Sequence, residues 1–255
     1  MGRNPRSTIR HLAGAALLAL SLAASAAELS VYSGGAVKAA LDEVVAQYGA
    51  ATGERATVTY MPVGTLMRSL GEGARPDVVV ITADVLAAAE DQGWVVPGQA
   101  IALGGVGVGV AVNQASPAPD ISTAEALKRT LLAAKSITYI DPEKGTSGKH
   151  FAEVLRRLGI AEQMKAKTRL GAAGYVVEPV ARGEIELGIQ QITEILPVKG
   201  VKLVGPLPEP LQKITLYMAA PTSWAGNAEA AKRFLRYLRG AEAGARFRSH
   251  GFLID

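Results

Sequence analysis

Cysteine is absent from this sequence. That excludes a disulfide framework, thiolate metal sites and a cysteine nucleophile. Histidine is scarce as well: His11, His150 and His250 are the whole set, too few for a histidine-rich zinc site. No basic run interleaved with aromatics occurs, which removes the usual footprint of a nucleic-acid surface. Excess positive charge is nearly missing once the first 26 residues are set aside. The chain carries 27 Lys+Arg against 23 Asp+Glu, and Arg3, Arg6 and Arg10 account for three of the cations. Long apolar runs are confined to one stretch, from about Leu12 to Ala24, which follows those arginines and ends in Ala24-Ser25-Ala26. A positive head, a short hydrophobic middle and a small-residue exit form the pattern of a secretory signal, with cleavage near Ala26 and export to the periplasm. The stretch is shorter than the roughly 20 residues a membrane span needs.

The remainder alternates between short β-rich runs and helical periodicity, the pattern of an α/β fold with mostly parallel sheet and helical crossovers. Leu29–Tyr32, Ala56–Tyr60 and Asp77–Ile81 read as strands, the last buried on both faces. Leu41, Val44, Val45 and Tyr48 recur at i, i+3, i+4, i+7 and give a helix with one buried face. Residues 104–112, GGVGVGVAV, hold too many glycines for a helix and read as an extended segment where backbones approach closely. No helix-opening sequence follows, so the pattern is not a dinucleotide fingerprint. A second series comprises a helix over Ala124–Ala134, a strand over Ile137–Ile140 and a helix with Phe151, Val154, Leu155 and Leu158 inward. After it come a short helix over Gly174–Arg182, strands at Glu186–Gln190 and Val201–Val204, and an extended segment over Ile214–Ala219. Ala231, Phe234, Leu235 and Leu238 mark a final helix.

In such sheets ligands collect where strands end and helices begin. Four junctions are small and polar: Ser33-Gly34-Gly35-Ala36, Val63-Gly64-Thr65, Gly145-Thr146-Ser147-Gly148 and Gly171-Ala172-Ala173-Gly174. Each would offer free N–H groups and the positive end of a helix dipole to an anion. Lys38 and Arg68 lie one turn inside helices that start at these loops, positioned either to reach an anion or to sit on a solvated face. Lys149 and His150 open the helix that buries Phe151. Gln190-Gln191 ends an apolar strand with two amides that can donate to oxyanions. Tyr175 caps the same region or packs on its surface.

The sequence as a whole, from Leu29 to Phe252, resembles the periplasmic molybdate-binding proteins, solute receptors of ABC importers. The resemblance is carried by VYSGGAVKAALDEV, VGTLMRSL with PDVVVITAD, KSITYIDPEKGTSGKHFAEVLRRLGI, ARGEIELGIQQITEI and VKLVGPLPEPLQ. It implies a type II periplasmic-binding fold of two Rossmann-like α/β lobes with an anion between them. On this reading residues 1–26 are the signal, 27–106 plus 217–255 the first lobe and 107–216 the second, with crossings near Val106–Val112 and Thr215–Ala219. The serine and tyrosine side chains with which members hold molybdate fall on Ala36, Gly64 and Gln191, none of which keeps the hydroxyl. The nearby hydroxyls are those of Ser33, Thr65 and Ser147. Smaller residues at the first two positions and longer polar reach from Gln191, Lys149 and His150 suit a di- or tricarboxylate better than a compact oxyanion. The implied partners are a small anion and an inner-membrane permease, for a monomeric protein without cofactor or metal. The sequence is also similar to a branch that includes aconitate isomerase. There, a 1,3-proton shift would use His150 as base, with Lys38, Arg68 and Lys149 as charge partners. Glu194 is the weaker alternative base, since it can equally pair with Lys199.

Overall fold

The structure, a computed structural model, describes residues 28–254. The expected signal and its cleavage point lie outside those residues. Two five-stranded sheets organise the chain. The first contains β1 (Leu29–Gly34), β2 (Ala56–Met61), β3 (Val78–Thr82), β4 (Ile101–Val106) and β10 (Thr215–Pro221), in the order β2-β1-β3-β10-β4. The second contains β5 (Val108–Asn113), β6 (Ile137–Ile140), β7 (Thr168–Gly171), β8 (Leu187–Gln191) and β9 (Val201–Pro206), in the order β7-β6-β8-β5-β9. On the first sheet pack α1 (Lys38–Thr52), α2 (Val63–Gly71), α3 (Ala83–Asp91), α9 (Ala228–Leu238) and α10 (Ala241–Ser249). With the second go α4 (Ala124–Ala133), α5 (Thr146–Arg157), α6 (Ala161–Lys165), α7 (Glu178–Ala181) and α8 (Ile192–Ile195).

The expectation of a mostly parallel sheet holds only for part of each lobe. β1 runs parallel to β2 and β3, and β6 runs parallel to β7 and β8. β10 is antiparallel to β3 and β4, and β5 is antiparallel to β8 and β9. The reason is the crossing. β5 and β10 each begin where the chain arrives from the other lobe, so they enter their sheets from the opposite end. The glycine-rich segment is the first crossing: β4 ends at Val106, β5 starts at Val108, and Gly107 alone lies between. Close approach occurs where the glycines predicted it. Gly104 has φ +136° and would place a Cβ 2.9 Å from Leu253 O.

The helical stripes pack as their periodicity requires. Leu41, Val44 and Tyr48 of α1 join Phe234 and Leu238 of α9 in the first core, where Tyr48 meets Phe234 edge-on at 5.1 Å. Phe151, Val154 and Leu155 of α5 face Ile137 and Ile189 in the second. Each such fully buried side chain contributes about 1.5–3 kcal/mol. Two elements differ from the periodicity reading. The helix expected over Gly174–Arg182 contracts to α7, because Gly174 adopts φ +70°. A helix beyond the expected last one, α10, follows Gly240; Ala243 and Phe247 are its buried residues, too sparse a stripe to stand out.

The start of α5 shows how tightly the second lobe is built. A Cβ on Gly148 would lie 1.9 Å from Ile140 O, so this helix can begin against the end of β6 only with glycine there. Gly148→Ala is expected to cost at least the upper end of the usual overpacking range of about 1–3 kcal/mol. Gly244→Ala, inside α10 with only Arg248 Nη1 near at 3.9 Å, is expected to stabilise by up to about 1 kcal/mol. Urea denaturation midpoints of the two variants check both.

Candidate functional site

Three of the four polar junctions converge where the lobes meet. β1 runs into a short 3-10 turn, Gly35–Val37, ahead of α1. β2 passes through Pro62 into α2, and β6 passes through residues 141–145 into α5. Gly35, Ala36, Pro62, Val63, Gly145, Thr146 and Ser147 line a cavity of ≈ 20 Å³ with Ile140, Gln191, Glu194 and Tyr217. One water needs roughly 10–15 Å³, so the space accepts about one small polar group. The fourth junction stays outside it. Gly171 O accepts Asp141 N–H at 2.8 Å, and Gly174 O accepts the Gln190 amide at 2.8 Å. That loop therefore braces the site from behind.

The lobes touch along the cavity rim. Gly64 N–H donates to Lys144 O at 3.0 Å, a backbone bond from one lobe to the other. Beyond that rim a wider groove of ≈ 770 Å³ shares Val63, Gly145 and Thr146 with the cavity. Lys144, Lys149, His150, Arg156 and Lys213 line it, together with Asp84, Glu143 and Glu153. Lys144 lies 3.5 Å from Asp141 and Lys213 lies 4.0 Å from Asp84. Lys149 has no ion pair among the described residues.

The sequence candidates separate into three groups. Gly35, Ala36, Ser147 and Gln191 line the cavity, and Ser147 is only 4 % exposed. Lys149 and His150 line the groove. His150 Nε2 lies 2.8 Å from Leu211 O; a carbonyl only accepts, so that nitrogen carries the proton. Burial pushes the imidazole below its ordinary range, helped by Lys213 and Arg157 against the Leu211 bond. The others face elsewhere. Ser33 donates to Gly34 O at 3.1 Å, Gly34 packs under Val63 and Tyr217, and Thr65 and Arg68 line neither space. Lys38 pairs with Asp42 at 2.7 Å and stands 4.4 Å over the Tyr60 ring. Tyr175 is half-buried, and its hydroxyl is pushed up by burial and then by Glu194 and Asp42.

Two functional groups went unranked or underrated in the sequence. Tyr217 enters on β10, where a tyrosine in an apolar strand gives no sign of a cavity. Glu194 lies in the single turn of α8 that follows directly on β8 and its Gln190-Gln191 end. The pairing with Lys199 does not form among the described residues; Glu194 turns inward instead. It is 7 % exposed, and a Cβ on Gly35 would sit 2.9 Å from its Oε1. Burial pushes its carboxyl up to about 8, against an opposing pull from the Gln190 side chain. Tyr217 is likewise held neutral, by burial first and the nearby Glu194 charge second. Among the described residues no Lys or Arg side chain lines the cavity. An anion there would depend on hydroxyls, the free N–H groups at the start of α5 and that helix's dipole. Gln191 donates to Thr215 Oγ1 at 3.2 Å, while its own Oε1 has no partner.

These shifts fix a pH dependence. Glu194 ionises near 4.5 when exposed to water and near 8 in the fold. Its contribution to stability is therefore intact below the lower value and lost as pH rises towards the upper one. Glu194→Gln removes the titration and keeps the shape. Between about pH 5 and 8, the melting temperature of the wild type is expected to fall relative to that of the variant in scanning calorimetry. Parallel curves would mean that the carboxyl reaches water.

Comparison with known proteins places the family and the fold. The family model described as bacterial extracellular solute-binding protein matches residues 29–253. An aconitate isomerase from Pseudomonas sp is 34% identical over 239 residues, covering 90% of each chain. The molybdate-binding protein ModA of Escherichia coli (strain K12) is 28% identical, covering 98% of this chain and 99% of that one. Among solved structures, the periplasmic molybdate-binding protein of Azotobacter vinelandii superposes with a TM-score of 0.75 at 17% identity, over 89% of this chain and 99% of that one. The resemblance read from the sequence motifs is borne out, and the chain belongs to the bacterial extracellular solute-binding protein family.

Proposed function

We propose that this protein is a periplasmic receptor that closes its lobes on a small polycarboxylate and presents it to an ABC permease in the inner membrane. The observation that carries this reading is the pairing of a cavity lined by no Lys or Arg with a groove beside it that presents Lys149, a cation without an ion pair among the described residues. A carboxylate head would lie at the ≈ 20 Å³ cavity with one oxygen inside it, and the rest of the molecule would extend into the ≈ 770 Å³ groove towards Lys149. A compact tetrahedral oxyanion makes no use of the groove. It would also lack donors: Ala36 offers no hydroxyl, and the Gly64 N–H is already bonded to Lys144 O. Each missing buried hydrogen bond costs about 1–3 kcal/mol.

Lobe closure follows from differential affinity, because only the closed form surrounds the head group. The groove lysines are exposed, so their attraction is screened and each is worth at most about 1 kcal/mol.

A second reading, isomerisation of an unsaturated tricarboxylate, is favoured by one feature: a titratable acid inside the cavity of a protein 34% identical to an aconitate isomerase. Glu194 as carboxylate would take a proton from the acidic methylene. The electron pair would delocalise into the adjacent carboxylate system, and the same proton would return at the far carbon. With its carboxyl near 8, roughly a tenth is ionised at pH 7. Glu194 is better placed for this than His150, whose Nε2 is engaged by Leu211 O in the outer groove.

A thermal-shift panel of citrate, both aconitate isomers, molybdate, tungstate and sulfate tests the first reading. A ligand at 100 times its Kd adds about 2.7 kcal/mol, and citrate or an aconitate is expected to do so. A shift with molybdate and tungstate alone would sink it. Lys149→Ala combined with Lys213→Ala is expected to weaken polycarboxylate binding roughly threefold to tenfold at low salt, read by calorimetric titration. Incubation with trans-aconitate, followed by proton NMR, separates the two readings: the receptor leaves the isomer unchanged, and the isomerase yields cis-aconitate.

A further inference from the structure

Among the described residues Glu194 is the one acidic side chain in the cavity lining, and that lining holds no cation to neutralise it. Gly35 closes over its Oε1 from the 3-10 turn. The titratable groups facing it are phenols, Tyr217 on β10 and Tyr175 in the loop after β7. Helix α1 packs against α8, but its nearby charges are matched elsewhere: Lys38 with Asp42 at 2.7 Å, and Glu43 with His250 at 3.1 Å. On β9, Lys202 donates to Ser116 O at 2.7 Å. β5 and β8, the other strands against α8, carry no charged side chain. Beside Glu194, Gln191 is 1 % exposed and its Oε1 is an acceptor without a donor.

An ionised Glu194 next to a bound anion would place two like charges side by side, one of them on a side chain only 7 % exposed, without a counter-charge in the lining, a cost that drives such a group to take up a proton instead. Protonated, it becomes a donor. A carboxylic acid sharing its proton with a carboxylate makes one of the shorter and stronger hydrogen bonds available, about 2.5–2.7 Å between oxygens. We propose that Glu194 is a specificity-determining residue that holds a proton in the cleft, so that the site captures an anion and a proton together and prefers carboxylates to fully ionised tetrahedral oxyanions. A planar carboxylate has two oxygens, one for the Glu194 O–H and one for the N–H groups at the start of α5, whereas a tetrahedral dianion has four oxygens to satisfy from the same few donors.

The inference rests on the reading that an anion binds in the interlobe cavity. The test is calorimetric titration of the full mature chain with trans-aconitate and with citrate, between about pH 6 and 9.5, in buffers of different ionisation enthalpy. Above the ligands' own last ionisation, wild-type affinity is expected to fall towards tenfold per pH unit once pH exceeds about 8, with uptake approaching one proton per anion. Glu194→Gln keeps a neutral donor and is expected to bind with pH-independent affinity and no uptake. Wild-type binding without proton uptake at the alkaline end overturns the proposal whether or not the variant folds. Equal pH profiles in wild type and variant overturn it too, and both results leave polycarboxylate capture standing. If neither polycarboxylate binds and molybdate does, the reading of the site fails and the proton proposal falls with it.

Discussion

The backbone bond from Gly64 N–H to Lys144 O, 3.0 Å long, brings the two lobes into register. With that contact made, the first turn of α2 lies against the loop that opens α5, and the cavity between them has walls. It also explains why Gly64 carries no larger side chain: a Cβ there would already lie 2.8 Å from Lys144 O. A position that resembles an anion contact in the sequence thus serves to bring the lobes together. The electrostatics follow from the same apposition. Closing two low-dielectric surfaces on Glu194 raises the free energy of its charge, whereas the groove outside remains wet and keeps its lysines ionised.

Most of the fold was legible because burial leaves a period in the sequence. The α1 and α5 stripes, the doubly buried β3 and the glycine-rich crossing all declared themselves through residue type. Strand direction did not. β5 and β10 look like any buried strand, and their antiparallel sense follows from the point at which the chain crosses between lobes, which no local pattern records. α10 escaped because Ala243 and Phe247 form too thin a stripe. The site was partly legible for the same reason. Gly35, Ala36, Ser147 and Gln191 were found through strand-to-helix junctions, whereas Tyr217 comes from a strand distant in sequence.

The cations divide differently. Lys38, Arg68, Lys149 and His150 are natural choices for an anion site, since attraction between opposite charges is the simplest inference from composition. Among the described residues none of the four lines the cavity: Lys38 is matched by Asp42, Arg68 lines neither space, and Lys149 and His150 line the outer groove. Hydroxyls, amides and a helix terminus line the inner space instead, and neutral dipoles of this kind are harder to pick from a sequence because they are everywhere.

The crossings also govern the order in which the molecule can assemble. The second sheet is drawn from one uninterrupted stretch, β5 to β9, and can close as soon as that stretch exists. The first sheet has a gap between β3 and β4 until β10 arrives, more than a hundred residues later in the chain. β1, β2 and β3 can pair with one another, but the outer edge of β3 and the whole of β4 must wait for a long-range contact whose loop-closure entropy slows it. The half of the protein that begins the chain is therefore the half completed last.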